Sequence, residues 1–240
     1  MTPFYHHPPM RSRSVAFLRS VLTVLALSSF AGGATAASAA EIRDRPCFAD
    51  PSDREDTVQL SGSGFTPNAA YQVTLDGQPL TGGNGRTDGA GNVSGKFVAP
   101  SVRTVSRTAR QHRFRLGVQE GANQPVTSFT VSRLFASFRP ATGDPTTLRV
   151  RFSLYGFALR GAARPPIYVH YVGPSGRVAR TTRLGSATRA CGFLRTKRRR
   201  LFAFTPRRGG WRLQFDTRRR YTRGSARSSF LFYTVGVDVK

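Results

Sequence analysis

Histidine, lysine and cysteine are all scarce: 240 residues hold four histidines, three lysines (Lys96, Lys197, Lys240) and two cysteines (Cys47, Cys191). Two histidines fall at positions 6 and 7, which leaves His112 and His170 for site chemistry, both inside alternating strand patterns. A Ser/His/Asp or Cys/His nucleophilic site needs one of them, yet no G-x-S-x-G elbow or cysteine-enzyme motif accompanies either. Both read as structural histidines. Two distant cysteines and two distant histidines offer no C-x-x-C or H-x-x-x-H unit, so no metal and no cofactor is expected. Residues 88–92, DGAGN, lack the alternating acidic ligands and distal Glu of a calcium loop and read as a turn. With no catalytic residue to assign, the chain is read as non-enzymatic.

Long apolar runs are lacking too. The one clear stretch, Val21 to Phe30, is well short of the roughly 20 residues a membrane span needs. It follows Arg11, Arg13 and Arg19 and precedes GGATAASAA. A basic start, a short apolar centre and an A-x-A exit describe a secretory signal peptide over residues 1–39, cleaved near Ala36 or Ala39, with Met10 as the natural start. No apolar tail closes FLFYTVGVDVK, so no membrane span is expected after cleavage, and the mature chain is expected to be secreted or held at the cell envelope. In an oxidising compartment Cys47 and Cys191 can pair; two free thiols is the other reading.

Acid is what the second half lacks most. Residues 41–133 carry eleven basic and nine acidic groups, whereas residues 134–240 carry twenty-three basic and three acidic ones. The preference for arginine over lysine suits a GC-rich genome, and codon bias alone can supply part of the excess. A surface of this charge nevertheless attracts polyanions at low salt.

Helical periodicity is missing after the first 40 residues, and alternation takes its place. In HRFRLGV, Phe114, Leu116 and Val118 alternate with Arg113, Arg115 and Gly117; in WRLQFD, Trp211, Leu213 and Phe215 alternate with Arg212, Gln214 and Asp216. A period of two puts one face in a core and one in water, so Trp211 reads as a core residue rather than a stacking platform. Turn clusters LDGQP, GGNGRTDGAGN, VGPSG and PRRGG separate the runs.

The two halves also repeat. Gly64-Phe65 and Gly156-Phe157 each close a strand, 92 residues apart, and each is followed by an alternating strand with Tyr and Val. A short strand ending on proline (Pro100, Pro206), a further alternating strand and an aromatic last strand complete each half. This order predicts an all-β chain of two tandem antiparallel sandwiches: an acidic arm at 40–56, a first sandwich at 57–133 and a strongly basic second sandwich at 134–240. Residues 126–140 join them without a flexible linker.

The segment SGSGFTPNAAYQVTLDG with TDGAGNVSGKFVAP, clearest over residues 57–100, resembles the bacterial immunoglobulin-like repeats of secreted and cell-surface proteins. The resemblance implies Ig-like sandwiches with spacer, adhesion or ligand-presenting roles and no shared active site. YGFALRGAARPP departs from the G-F-x-P pattern, so in the second half only Gly156-Phe157 and the strand order carry it.

One further expectation concerns the basic residues. With LFAF (201–204) as a strand of the second sandwich, RTKRRR before it and TRRRYTR after the next strand lie at one end, joined by ALRGAARPP. Arg160, Arg164, Arg195, Lys197, Arg198, Arg199, Arg200, Arg218, Arg219, Arg220 and Arg223 then form one basic pole, suited to anionic envelope polymers such as polyphosphate, extracellular DNA or acidic polysaccharide. The leading expectation is nevertheless a secreted, non-enzymatic interaction or structural module at or near a bacterial cell envelope, with another surface protein as one partner; polyanion binding through this pole is the alternative. If Cys47 and Cys191 pair, the arm, with Glu41, Asp44, Asp50, Asp53, Glu55 and Asp56, is expected to fold over this pole and partly neutralise it.

Overall fold

The computed structural model describes residues 41–159, 163–225 and 227–240. The signal-peptide segment and Arg160 lie outside them. Among the described residues strands account for nearly all regular structure, with one four-residue helix, α1 (Val102–Val105).

Two sheets face each other in the first sandwich. One has the order β1 (Glu41–Arg43), β3 (Thr57–Ser63), β6 (Val93–Val98). The other has the order β2 (Cys47–Ala49), β8 (Val126–Ser132), β7 (Gln111–Gln119), β4 (Ala70–Leu75), β5 (Gln78–Arg86). Every pairing is antiparallel except β2 with β8, which run parallel. Val58 and Leu60 of one sheet and Val73, Phe114, Leu116, Val118, Phe129 and Val131 of the other are the alternate residues that turn inward. At the β4–β5 turn Asp76 and Gly77 both take positive φ (50° and 82°), as a two-residue hairpin of primed type requires.

The second sandwich repeats the plan. Its first sheet centres on β10 (Arg149–Tyr155), flanked by β9 (Phe135–Arg139) on one side and by the short β13 (Leu194–Arg195) and β14 (Arg199–Arg200) on the other. Its second has the order β12 (Val178–Ser186), β11 (Pro166–Val172), β15 (Gly209–Asp216), β16 (Phe232–Val239). Phe152, Leu154, Phe157, Val169, Tyr171, Trp211, Leu213 and Phe215 fill the core. Trp211 sits against Phe202 and Phe204, and its Nε1 donates to the Arg207 carbonyl at 2.8 Å. Two facing sheets, three strands against five in the first unit and four against four in the second, with the chain crossing repeatedly between them, give the immunoglobulin-like plan twice over.

The Gly-Phe repeat is structural. Gly64 and Gly156 take φ of 84° and 80°, and the buried phenylalanine after each donates its amide to a later glycine carbonyl, Gly91 and Gly192 respectively. Gly156 is also required by a close approach: a Cβ there would lie 2.5 Å from the Arg133 carbonyl oxygen.

Two expectations are corrected. LFAF is not a strand. Its residues follow β14 as bends, with Leu201 and Phe202 buried and fixed by Leu201 N–H to the Leu148 carbonyl (2.8 Å) and Tyr171 hydroxyl to the Leu201 carbonyl (2.9 Å). Burial lifts the Tyr171 phenol to about 12. The strand is RTKRRR itself, split into β13 and β14 around Thr196, whose hydroxyl accepts from Phe152 N–H at 3.0 Å. It forms the sheet edge, where charged side chains are tolerated and discourage pairing with another chain.

Nor does the arm cover the second sandwich. It enters the first one as β1 and β2, burying Ile42 and Phe48, because burying a large apolar side chain contributes about 1.5–3 kcal/mol each. Its acids stay with it. Asp50 is wholly buried and accepts from Ser52 N–H (2.9 Å), Ser52 Oγ (2.6 Å), Val102 N–H (2.7 Å) and Ser101 Oγ (3.1 Å). Burial pushes its carboxyl up, but these bonds outweigh that and hold it below the usual carboxylate range. Asp56 pairs with Arg45, Asp53 with Arg133, and Glu41 with Arg43.

The disulfide does form, between Cys47 of β2 and Cys191 just before β13, with Cα atoms 5.3 Å apart. Between β8 and β9 only Arg133 and Leu134 intervene. Asp53 accepts from Leu134 N–H at 2.6 Å and meets Arg133 at 3.5 Å, while Arg110 lies over the Phe135 ring. The sandwiches thus meet at a short junction clasped by the arm.

Candidate anion-binding surface

The strand directions define two ends of the second sandwich. At the junction end lie the loops 156–165, 187–193 and 217–231; at the far end lie 140–148, 173–177 and 201–208. Arg164, Arg218, Arg219, Arg220 and Arg223 lie in loops at the junction end. Arg195 is close to it, opposite Ser153. Lys197 and Arg198 are exposed midway, and Arg199 and Arg200 stand opposite Val150 and Arg149 at the far end, beside Arg207 and Arg208. The single pole is therefore corrected to a band. The run follows β10 from Ser153 to Arg149, four strand steps or roughly 13 Å, so it carries charge from one end toward the other.

Three arginines that sequence reasoning left out complete that band. Arg149 and Arg151 are exposed on the outer face of β10, and register sets Arg151 opposite Arg139 of β9 and Arg149 opposite Arg200 of β14. Like charges directly opposite in a sheet cost stability rather than add it. The alternation in LRVRFSLY was the signal for this face; without the strand partners nothing showed that it met further arginine.

The loop carrying Arg218, Arg219, Arg220 and Arg223 is tied down from below. His170 and Asp216 are wholly buried. His170 Nε2 faces two acceptors, Asp216 Oδ1 at 3.2 Å and the Arg218 carbonyl at 3.1 Å, so this nitrogen carries hydrogen, while Nδ1 meets Thr181 Oγ1 at 2.8 Å. Asp216 also accepts from Arg218 N–H and Gln214 Nε2, each at 2.8 Å. Gln214 then spans the loop, donating to the Thr222 carbonyl (2.8 Å) and accepting from Gly224 N–H (3.0 Å). Thr181, His170 and Asp216 form a chain of the kind seen in nucleophilic sites, but its far members are enclosed and bonded to loop backbone, so the cluster positions the loop. His112 lies at the first sandwich, 3.6 Å from Asp76 and edge-on to Phe114.

Among the described residues no arginine or lysine of 134–240 makes an ion pair. Asp216 is buried in the histidine cluster, and Asp144 is engaged with Thr146 and Thr147, which hold its carboxyl below the usual range. Where these arginines have partners, they are neutral: Arg218 lies over Phe230, Arg189 over Phe193, and Arg180 donates to the Ala203 carbonyl. No cluster of potential metal ligands occurs among the described residues, nor any helix long and apolar enough to cross a membrane.

Strand order and pairing define the class: two tandem immunoglobulin-like β-sandwiches, the second with an arginine surface unbalanced by acid. Neither a protein-family model nor a curated protein matches the chain in sequence. Among solved structures it is similar to a biofilm-associated protein BSP domain (13% identity, TM-score 0.25, 73% of this chain and 26% of that one). It is also similar to a tetra-tandem repeat from the extending region of a large adhesion protein (13%, 0.28, 84% and 50%) and to the human OSCAR ligand-binding domain (11%, 0.32, 84% and 98%). The chain thus spans a quarter to a half of the first two. At these identities and scores the fold rests on the strand pairing above.

Proposed function

We propose that the chain is a non-enzymatic interaction module, exported to or near a bacterial cell envelope, whose second sandwich holds anionic polymers. One observation carries this over a plain structural or protein-binding role. Among the described residues most arginines of 134–240 are exposed and none forms an ion pair, and two cross-strand pairs, Arg139 with Arg151 and Arg149 with Arg200, set like charges side by side. A bound polyanion removes that repulsion. Retention on heparin and polyphosphate resins as salt rises tests the reading, because each anionic contact contributes about 0.7–0.9 to the slope of log affinity against log salt. Replacing Arg139 and Arg151 together with alanine is expected to bring elution to lower salt. Release of the intact protein below about 150 mM from every resin, unchanged by that replacement, overturns it, since six or more contacts persist to higher salt.

A further inference from the structure

Beside the disulfide is a cleft of about 800 Å³ lined by Arg45, Arg54, Arg164 and Arg189 over a floor that includes Pro46, Cys47, Ala158, Leu159, Ala163 and Ala190. Its walls come from the arm on one side and from two loops of the second sandwich on the other. Among the described residues no acidic one lines it. Arg45 is neutralised by Asp56 and lies over Phe48. Arg54, Arg164 and Arg189 are in no ion pair among the described residues, and Arg189 has only the Phe193 ring. Three uncompensated guanidinium groups thus face one cleft of a size that can enclose a compact molecule, about 300–1,000 Å³.

We infer that this cleft binds a carboxylate-bearing saccharide segment of an acidic polysaccharide. The inference rests on the anionic-polymer reading and deepens it. Guanidinium forks match carboxylates two bonds at a time. The floor is aliphatic, which suits the C–H faces of sugar rings. A polyphosphate chain has no such surface, and a nucleobase calls for an aromatic stacking partner that the lining lacks. The cleft shares lining with two neighbouring grooves: Arg45 and Arg54 also line one along the arm, which Asp44, Glu55 and Asp56 make unfavourable to an anion, and Pro46, Arg189 and Ala190 line another over Gln111, Arg113 and Ser128. A longer acidic chain would therefore continue from the cleft along the second groove.

The test is calorimetric titration of the oxidised full chain with a galacturonate tetramer and, separately, a linear phosphate oligomer of equal charge. The tetramer is expected to bind more tightly. Arg54→Ala with Arg189→Ala is expected to weaken the tetramer by tenfold or more, two charge-assisted contacts being lost, while retention on polyphosphate resin, which carries no saccharide carboxylate, changes little. Arg139→Ala with Arg151→Ala is expected to do the reverse. Tetramer affinity unchanged by the cleft replacement, or equalled by the phosphate oligomer, overturns the cleft assignment and leaves the wider reading standing if heparin still retains the protein. If heparin retention also fails, both fall.

Discussion

Breaking the Cys47–Cys191 bond gives the sharpest perturbation of this architecture. The bond closes a loop over a sequence separation of 144 residues that runs through both cores. In the chain-entropy argument a loop of that length costs the unfolded chain about 17 cal/mol/K, or about 5 kcal/mol at 25 °C. For roughly 200 folded residues, whose unfolding entropy is about 2.1 cal/mol/K each, that corresponds to about 12 °C in Tm. Both sulfurs are buried, Cys191 completely, so reductant alone should act slowly on the folded protein. The assay is calorimetric melting of the native chain against Cys47→Ser with Cys191→Ser, with intact mass before and after reduction to confirm that the native chain holds the bond. The expected loss is several degrees up to about 12 °C. A Tm unchanged within about 2 °C refutes the reasoning: either the unfolded chain is already restricted, or the sandwiches unfold separately and the loop constrains neither.

Gly156→Ala forces a positive φ on alanine and drives its Cβ into the Arg133 carbonyl; about 2–3 kcal/mol should be lost in denaturant melts, from strain and overpacking together. Gln214→Ala removes two bonds that span the basic loop and a third to Asp216, so amide exchange at 217–224 should quicken well before exchange in β15 and β16 does. Asp44 and Asp50 should respond to pH in opposite senses. Burial lifts half-buried Asp44 to about 6 despite the Arg45 amide and charge, leaving one oxygen unpartnered; its folded form holds a proton more tightly, so stability falls as pH rises from about 4 to 6, and Asp44→Asn should stabilise at pH 7 but not at pH 4. Asp50 is depressed, so its contribution is present above the ordinary carboxylate value and lost as pH drops through the folded one; Asp50→Ala should flatten that acid limb.

Strand pattern, Gly-Phe corners and core aromatics were legible because each is a local consequence of alternation: Phe114, Leu116, Trp211 and Phe215 turn inward where a period of two puts them. The misplaced strand shows where that logic stops. LFAF is more apolar than RTKRRR, yet apolarity reports burial, and Leu201 and Phe202 are indeed buried without being paired. Pairing at a sheet edge demands only that one face be dry, which Leu194 and Thr196 supply between arginines. The arm misled for a related reason. Its acids suggested a partner of opposite sign, but Phe48 and Ile42 decided its place, and its carboxylates found amides and nearby arginines. The sheet-face arginines needed the register of three strands, and the cleft needed two loops and the arm brought together; neither is a property of any single segment.

The bond from the arm to the second sandwich also decides how the molecule would behave as a tether. Pulled from Glu41 and Lys240, a chain without it could pay out all 200 residues between them, roughly 700 Å at full extension. With the bond intact, only the six residues before Cys47 and the forty-nine after Cys191 can lengthen, roughly 190 Å. Tension would strip β15 and β16 while β3 through β12 stay shielded inside a covalent ring, so such a protein, loaded between wall and matrix, would yield a little and then stop.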